Sequence, residues 1–295
     1  LKGDVGISHL RCTITSVNGS FTISLNERPP RASVAHDFGA VVRLKFLPLL
    51  AVQRNTLVSL NISAELLLGC LRDDQSKDKI VGLRGQLSGV RELVAISVSL
   101  LSFDFFSIGR ISTADLRPFL EMFPSLECLE LDQKGFFQRS TIDDFCGVCP
   151  CLKTLVCYSG SYGDDWIARG SPPWRLETLQ WLLDDDFTAE HLTALADCVQ
   201  ASCILLYLSD SEPTLKRVHV EAVFARMPCL RWLVLVWELR RLTWICSQSV
   251  DGKTIEIVPE NTMFGEDLLP IYPHLFSKFW AGLVRSSPSY YCPYS

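Results

Sequence analysis

Pro124–Leu131 reads P-S-L-E-C-L-E-L, and the rest of the chain is arranged around that phrase. It returns at Pro150–Cys157 (P-C-L-K-T-L-V-C), Pro173–Trp181 (P-W-R-L-E-T-L-Q-W, one residue longer), Pro213–Val220 (P-T-L-K-R-V-H-V) and Pro228–Leu235 (P-C-L-R-W-L-V-L). In chemical terms it is proline, an apolar residue, two variable positions, a second apolar residue, one variable position and a third apolar residue. The last three positions alternate with the period of a strand, which puts the apolar residues on one side and the variable ones on the other. A unit that recurs at intervals of a few tens of residues predicts a stacked architecture, in which each copy buries its apolar side against its neighbours.

The segments before these phrases read as helices. Ser112–Phe123 offers Thr113 as an N-cap and sets Leu116, Phe119, Leu120 and Phe123 on one face. Pro124 then stops the helix and can open a strand. Ser140–Cys149, Thr188–Cys198 and the shorter Glu221–Met227 play the same part. Earlier in the chain, Val41–Phe46, Thr56–Ile62 and Gly89–Val98 carry the strand spacing without the proline, the last with Val90 and Leu93 in its core positions. Ala64–Arg72 is compatible with a short helix, and Asp73–Lys79 reads as a charged, solvated loop. First core positions at 57, 90, 126, 152, 176, 215 and 230 lie 33, 36, 26, 24, 39 and 15 residues apart, so the array is expected to become irregular near Pro213.

Two hairpins flank the array. Leu10–Leu25 turns at Asn18-Gly19, a pair that tolerates positive φ, and Leu242–Val258 turns at Asp251-Gly252. Asp267–Arg285 is a helical stretch broken by Pro270 and Pro273, with Phe276, Phe279, Trp280 and Leu283 on one face. It is expected to cap the open end of the stack. The division that follows is 1–40 (hairpin and loop, a cap), 41–238 (the repeat array) and 239–295 (hairpin and helix, a second cap).

The phrase L-x-x-L-x-L after a proline-terminated helix resembles a leucine-rich repeat. The wordings F-P-S-L-E-C-L-E-L and M-P-C-L-R-W-L-V-L are similar to the irregular repeats of F-box/leucine-rich-repeat proteins, particularly divergent fungal ones. The resemblance covers about Val41 to Glu238. It implies an α/β fold, an irregular leucine-rich-repeat solenoid (a horseshoe) of alternating strands and helices. It also implies a non-catalytic module for protein–protein interaction, the substrate-recognition part of an SCF-type ubiquitin ligase. Residues 1–40 do not read as the F-box that docks the ligase adaptor, so an adaptor partner is expected only with an F-box upstream. Residue 1 is leucine, so a piece of a longer chain is expected.

Composition narrows the alternatives. The chain has 28 basic and 33 acidic side chains, net −5, with no basic excess to neutralise phosphates, so nucleic acid is not an expected partner. No run of about 18 apolar residues is present, which excludes a simple membrane span within these residues. Twelve scattered cysteines suit reduced thiols in an intracellular, cytoplasmic or nuclear protein better than a disulfide framework. Sequons at Asn18 and Asn61 fall on a turn and inside a strand and read as chance matches.

The candidate binding residues are the outward positions of the repeat strands. In chain order these are Cys128, Glu130 and Asp132; Thr154, Val156 and Tyr158; Thr178, Gln180 and Leu182; Arg217, His219 and Glu221; and Trp232, Val234 and Val236. Glu130, Asp132, Tyr158, Gln180, Arg217, His219 and Trp232 carry the chemistry an interface would use. Asp132, Asp164-Asp165 and Asp184–Asp186 follow successive strands and would stack into an acidic ridge. Two other readings stay open: a scaffold or sensor with no ligase coupling, and a zinc- or thiol-dependent protein using the Cys146–Cys157 cluster. That cluster lacks a second ligand pair at zinc spacing. The five dispersed histidines form no nucleophile–base signature, and no Walker loop or G-x-S-x-G elbow appears, so no catalytic residue, cofactor or metal is expected.

Overall fold

A computed structural model describes residues 11–17, 20–26, 46–63, 71, 74–96, 113–132, 145–158, 173–183, 187–208, 215–237, 242–248 and 255–261. The elements in chain order are β1 (Arg11–Val17), β2 (Ser20–Asn26), α1 (Leu47–Val52), β3 (Leu57–Ser63), α2 (Asp74–Gly82), β4 (Glu92–Ile96), α3 (Thr113–Leu120) and β5 (Cys128–Asp132). They continue with β6 (Thr154–Tyr158), β7 (Trp174–Leu183), α4 (Ala189–Cys198), β8 (Val199–Leu208), α5 (Arg217–Arg226), β9 (Trp232–Trp237), β10 (Leu242–Gln248) and β11 (Ile255–Asn261). All eleven strands form one open sheet whose spatial order is the chain order. Strands β2 to β9 run parallel. Antiparallel pairs β1–β2 at one edge and β9–β10–β11 at the other close the series.

The proline phrase works as a turn. In Phe123-Pro-Ser-Leu126, Cys149-Pro-Cys-Leu152 and Met227-Pro-Cys-Leu230, the fourth residue's N–H donates to the first residue's carbonyl at 3.1, 3.0 and 2.9 Å. Leu87-Ser-Gly-Val90 repeats the geometry without proline, at 3.2 Å. Proline supplies the φ that the second position of such a turn requires. Both apolar ends of each turn are buried, so the turn is pinned to the core on either side.

After the turn, residues align across strands. Leu60, Leu93, Leu129, Leu155, Leu179, Ile204 and Leu233 form one register row, and Ile62, Ala95, Leu131, Cys157, Trp181, Leu206 and Leu235 another. The first row is buried throughout. Its members lie 33, 36, 26, 24, 25 and 29 residues apart. The irregularity expected near Pro213 is therefore not there. The strand is β8, and the Pro213 phrase leads into helix α5.

The sequence before the proline differs: at Pro124, Pro150 and Pro228 it is an apolar side chain that is buried (Phe123, Cys149, Met227), whereas at Pro213 it is the charged residue Glu212. Val220, Val223 and Phe224 are buried at helical spacing, whereas Val218 is 59 % exposed. Asp73–Lys79 is the second correction: Asp74–Gly82 is helical, with Ser76 and Ile80 buried one turn apart and Lys77 paired to Asp74 at 2.9 Å. Two buried positions in a charged stretch are too few to raise a periodic signal. Of the strand expected at Val41–Phe46, only Phe46 is described, and it precedes α1. Ala64–Arg72 and Asp267–Arg285 lie outside the described residues, apart from Leu71.

Each of the five described helices buries apolar residues in one core with these rows, while Val52, Val81 and Val218 stay exposed. Consecutive helices also touch: α1 with α2, α2 with α3, α4 with α5. Helix α4 starts with a reciprocal cap: the His191 N–H donates to Thr188 Oγ1 at 3.3 Å, and the Thr188 N–H donates to His191 Nδ1 at 3.2 Å. Histidine stands where glutamate or glutamine usually closes this motif. His219 repeats the second half on α5, accepting from the Lys216 N–H at 3.1 Å. At the β9–β10 end, Trp237 and Trp244 meet edge to face, 5.3 Å between centroids.

One further row ties consecutive units together on the exposed side of the turns: Arg91, Glu127, Lys153, Glu177, Ser202 and Arg231. Backbone N–H groups of Arg91, Glu127, Lys153, Glu177 and Arg231 each reach back one strand, to the carbonyls of Val58, Arg91, Glu127, Lys153 and Ser202. The first four side chains alternate in sign, with Lys153 Nζ 2.8 Å and Arg91 Nη1 3.5 Å from the Glu127 carboxylate. Glu127's hydrogen bond holds the Lys153 ammonium above its ordinary pKa. These backbone bonds link neighbouring units at the strand's start.

Candidate functional site: the second face of the sheet

Because strand residues alternate, the positions between the core rows face away from the helices. Three outward rows result. One holds Ser59, Glu92, Cys128, Thr154, Thr178, Cys203, Trp232 and Ser247; the middle one holds Glu130, Val156, Gln180, Leu205, Val234 and Ile245; the third holds Tyr207 and Val236, whose backbone positions are in register with Tyr158, Leu182 and Thr243. Parallel register is what brings residues distant in sequence into these lines.

Of the seven residues picked out from the sequence, five share this sheet. Glu130 is half-buried in the middle row, Asp132 ends β5 and pairs in register with Tyr158 at the end of β6, and Trp232 opens β9, half-buried. Gln180 also lies in the middle row, but it is only 2 % exposed, and its amide nitrogen, Nε2, has no hydrogen-bond partner. A buried amide donor without an acceptor is costly, on the order of 1–3 kcal/mol.

Arg217 and His219 do not belong to the face. They sit on the first turn of α5, where Arg217 Nε pairs with Glu221 Oε1 at 2.7 Å and His219 caps the helix. Their place on the sheet is taken by β8, which supplies Cys203, Leu205 and Tyr207. The signal for β8 was the interval from Leu179: another 25 residues reaches Ile204, inside the apolar run C-I-L-L-Y-L. The proposed acidic ridge is described only at Asp132; Asp164-Asp165 and Asp184–Asp186 lie outside the described residues.

The cysteine cluster is part of the core. Cys146, Cys149 and Cys157 are buried and Cys151 is exposed. Burial pushes the Cys149 thiol up to about 12, with the nearby Cys146 and Cys151 sulfurs adding to the shift, and burial likewise raises Cys157, with Cys146 adding. A thiol held protonated is a poor nucleophile. Among the described residues no group of three histidine, cysteine or carboxylate side chains converges as a metal site, and no helix is long and apolar enough to cross a membrane.

Taken together, the described chemistry is a broad strand platform, polar at the β3–β5 end and increasingly aromatic and apolar toward β9. Comparison with protein-family models and with curated proteins finds no match to the chain.

Proposed function

We propose that the chain is an irregular leucine-rich-repeat solenoid that recognises another protein through the outward face of its sheet, without catalysis. The observation that carries this reading is the run of parallel strands in strict chain order, which aligns half-exposed Glu130, Thr154, Thr178, Tyr207, Trp232 and Val236 on one surface. Tyrosine and tryptophan on a rigid platform are the side chains that anchor protein interfaces. Bound partners would be held by surface complementarity, with the exchangeable polar positions at β4–β6 setting specificity.

The family resemblance extends the proposal to the substrate-recognition part of an SCF-type ubiquitin ligase. That step needs an F-box outside these 295 residues. Affinity purification from native cells tests both parts at once. Partners lost with Trp232→Ala and Glu130→Ala but retained with the helix substitution Arg217→Ala support the face. Equal partner sets for all three refute it. Co-purification of a ubiquitin-ligase adaptor supports ligase coupling; its consistent absence beside a retained partner favours a scaffold or sensor.

A further inference from the structure

Helices α4 and α5 begin in the same unusual way. In each, a histidine three residues past the cap turns its ring back onto the chain. Nδ1 of His191 accepts the Thr188 N–H at 3.2 Å, and Nδ1 of His219 accepts the Lys216 N–H at 3.1 Å. Both histidines are half-buried. In each helix the next residue, Leu192 or Val220, is the first one buried in the core, and its N–H donates to the carbonyl of the cap residue at 3.1 or 3.4 Å. The two helices also pack on each other. The cap bonds therefore stand beside the first anchors of two adjacent helices.

Glutamine in this place accepts the same bond through its side-chain oxygen and carries no charge at any working pH. An imidazole nitrogen accepts only while it holds no proton, so the geometry requires a neutral ring with its hydrogen on Nε2. Protonation makes both ring nitrogens donors. It also places a positive charge at a helix N-terminus, against the helix dipole. Both effects have the same sign: the neutral ring holds the turn and the charged ring releases it. Histidine is the side chain whose charge ordinarily changes between pH 5 and 8. We propose that His191 and His219 form a paired acid-sensitive latch, in which proton uptake at Nδ1 releases the first turns of α4 and α5 and loosens the hold of Leu192 and Val220 on the core.

The charges on the packed elements do not offset this. On α4, Glu190 is the immediate neighbour of His191 and points along a different direction of the helix, and Asp197 pairs with Arg226 of α5 at 3.4 Å. On α5, Glu221 pairs with Arg217 at 2.7 Å, and Lys216 and Arg217 add like charge at the turn. Strand β8, packed on α4, has no charged side chain, and neither has β9. Asp184–Asp186, Asp210 and Glu212 precede the two helices in sequence and lie outside the described residues. The latch concerns the folded chain alone and does not depend on the recognition function proposed above.

The test is amide hydrogen exchange in the full chain at pH 7.5 and pH 5.5, resolved to single residues and corrected for the intrinsic effect of pH on exchange. The expected result at pH 5.5 is exchange roughly three- to tenfold faster at Thr188, His191 and Leu192 and at Lys216, His219 and Val220, the loss of one cap per helix. Ala196 and Phe224, deeper in the helices, stay unchanged. His191→Gln should keep the pH 7.5 protection of α4 at both pH values while α5 still responds, and His219→Gln should do the converse. Equal wild-type protection at both pH values, or an acid response that survives in the glutamine variants, overturns the proposal. If glutamine fails to hold the turn even at pH 7.5, His191→Ala and His219→Ala decide: protection that is low and no longer changes with pH supports the latch, and a persisting pH response overturns it.

Discussion

Replacing Val218 and Val220 separately by alanine should move stability in opposite directions. Val220 is fully buried in the core; Val218, two residues earlier on the same helix, is 59 % exposed. Val220→Ala removes two methyl groups from the core, about 1.6 kcal/mol at ~0.8 kcal/mol each, and the cavity adds to this. Alanine's better helix propensity returns roughly 0.5 kcal/mol. The net cost is about 1–2 kcal/mol. Val218→Ala leaves no cavity, and the propensity term alone predicts a gain of about 0.5 kcal/mol. In urea unfolding followed by circular dichroism, with a slope of ~3 kcal/mol/M, Val220→Ala lowers the midpoint by about 0.5 M and Val218→Ala does not lower it. The strand spacing that Pro213–Val220 suggests would make both valines core residues. Comparable losses from both substitutions would refute helix α5 and the strand assignment that depends on it.

Other substitutions probe other parts of the account. Thr188→Ala removes the acceptor for the His191 N–H and should cost about 1 kcal/mol of stability, with faster hydrogen exchange confined to the first turn of α4. Gln180→Leu replaces a buried amide whose Nε2 has no partner with an apolar group of similar size; it should leave stability unchanged or raise it by about 1 kcal/mol, read as the thermal midpoint. Buried Cys149 and Cys246, both pushed up to about 12, should lower stability at alkaline pH. The unfolded chain ionises these thiols from their ordinary value of 9.0 and the folded chain does not, so their contribution is complete below pH 9 and declines as pH rises toward 12. Urea midpoints at pH 8 and pH 10.5 should therefore differ, the higher pH being less stable, and alkylation of native protein should mark exposed Cys151 and Cys229 before Cys149 and Cys246.

Much of this fold was legible in the sequence because local chemistry and tertiary demand coincide. In sequence, Asn18-Gly19 falls between the paired residues Val17 and Ser20, and Asp251-Gly252 between the paired residues Gln248 and Ile255. The helix expected at Thr188–Cys198 is present as α4, and the leucines after Pro124, Pro150 and Pro228 enter the core. Misreadings arose where the pattern carried less than it appeared to. Pro213 matches the phrase but follows a charged residue, Glu212, and the valines after it are read at helical spacing in α5. β8 lacks the proline, runs straight on from α4 and is apolar on both sides, so period-2 alternation is absent. The face was legible at β5, β6, β7 and β9, where the register follows from the phrase. The burial of Gln180 was not, because strand alternation places it on the outward side and does not by itself predict burial there.

The central claim is that consecutive strands are neighbours along the whole array and so build one continuous face. Pairs of spin labels, placed through bioorthogonal side chains at exposed positions of the row beginning with Arg91, test it most directly. Strand spacing predicts that backbone separations from Arg91 grow steadily, about 14 Å to Glu177, about 19 Å to Ser202 and about 24 Å to Arg231, less a small reduction if the array curves. Distances that rise in that order support the account. A Ser202 or Arg231 label closer to Arg91 than Glu177 is would mean that the strands are shuffled, and would contradict it.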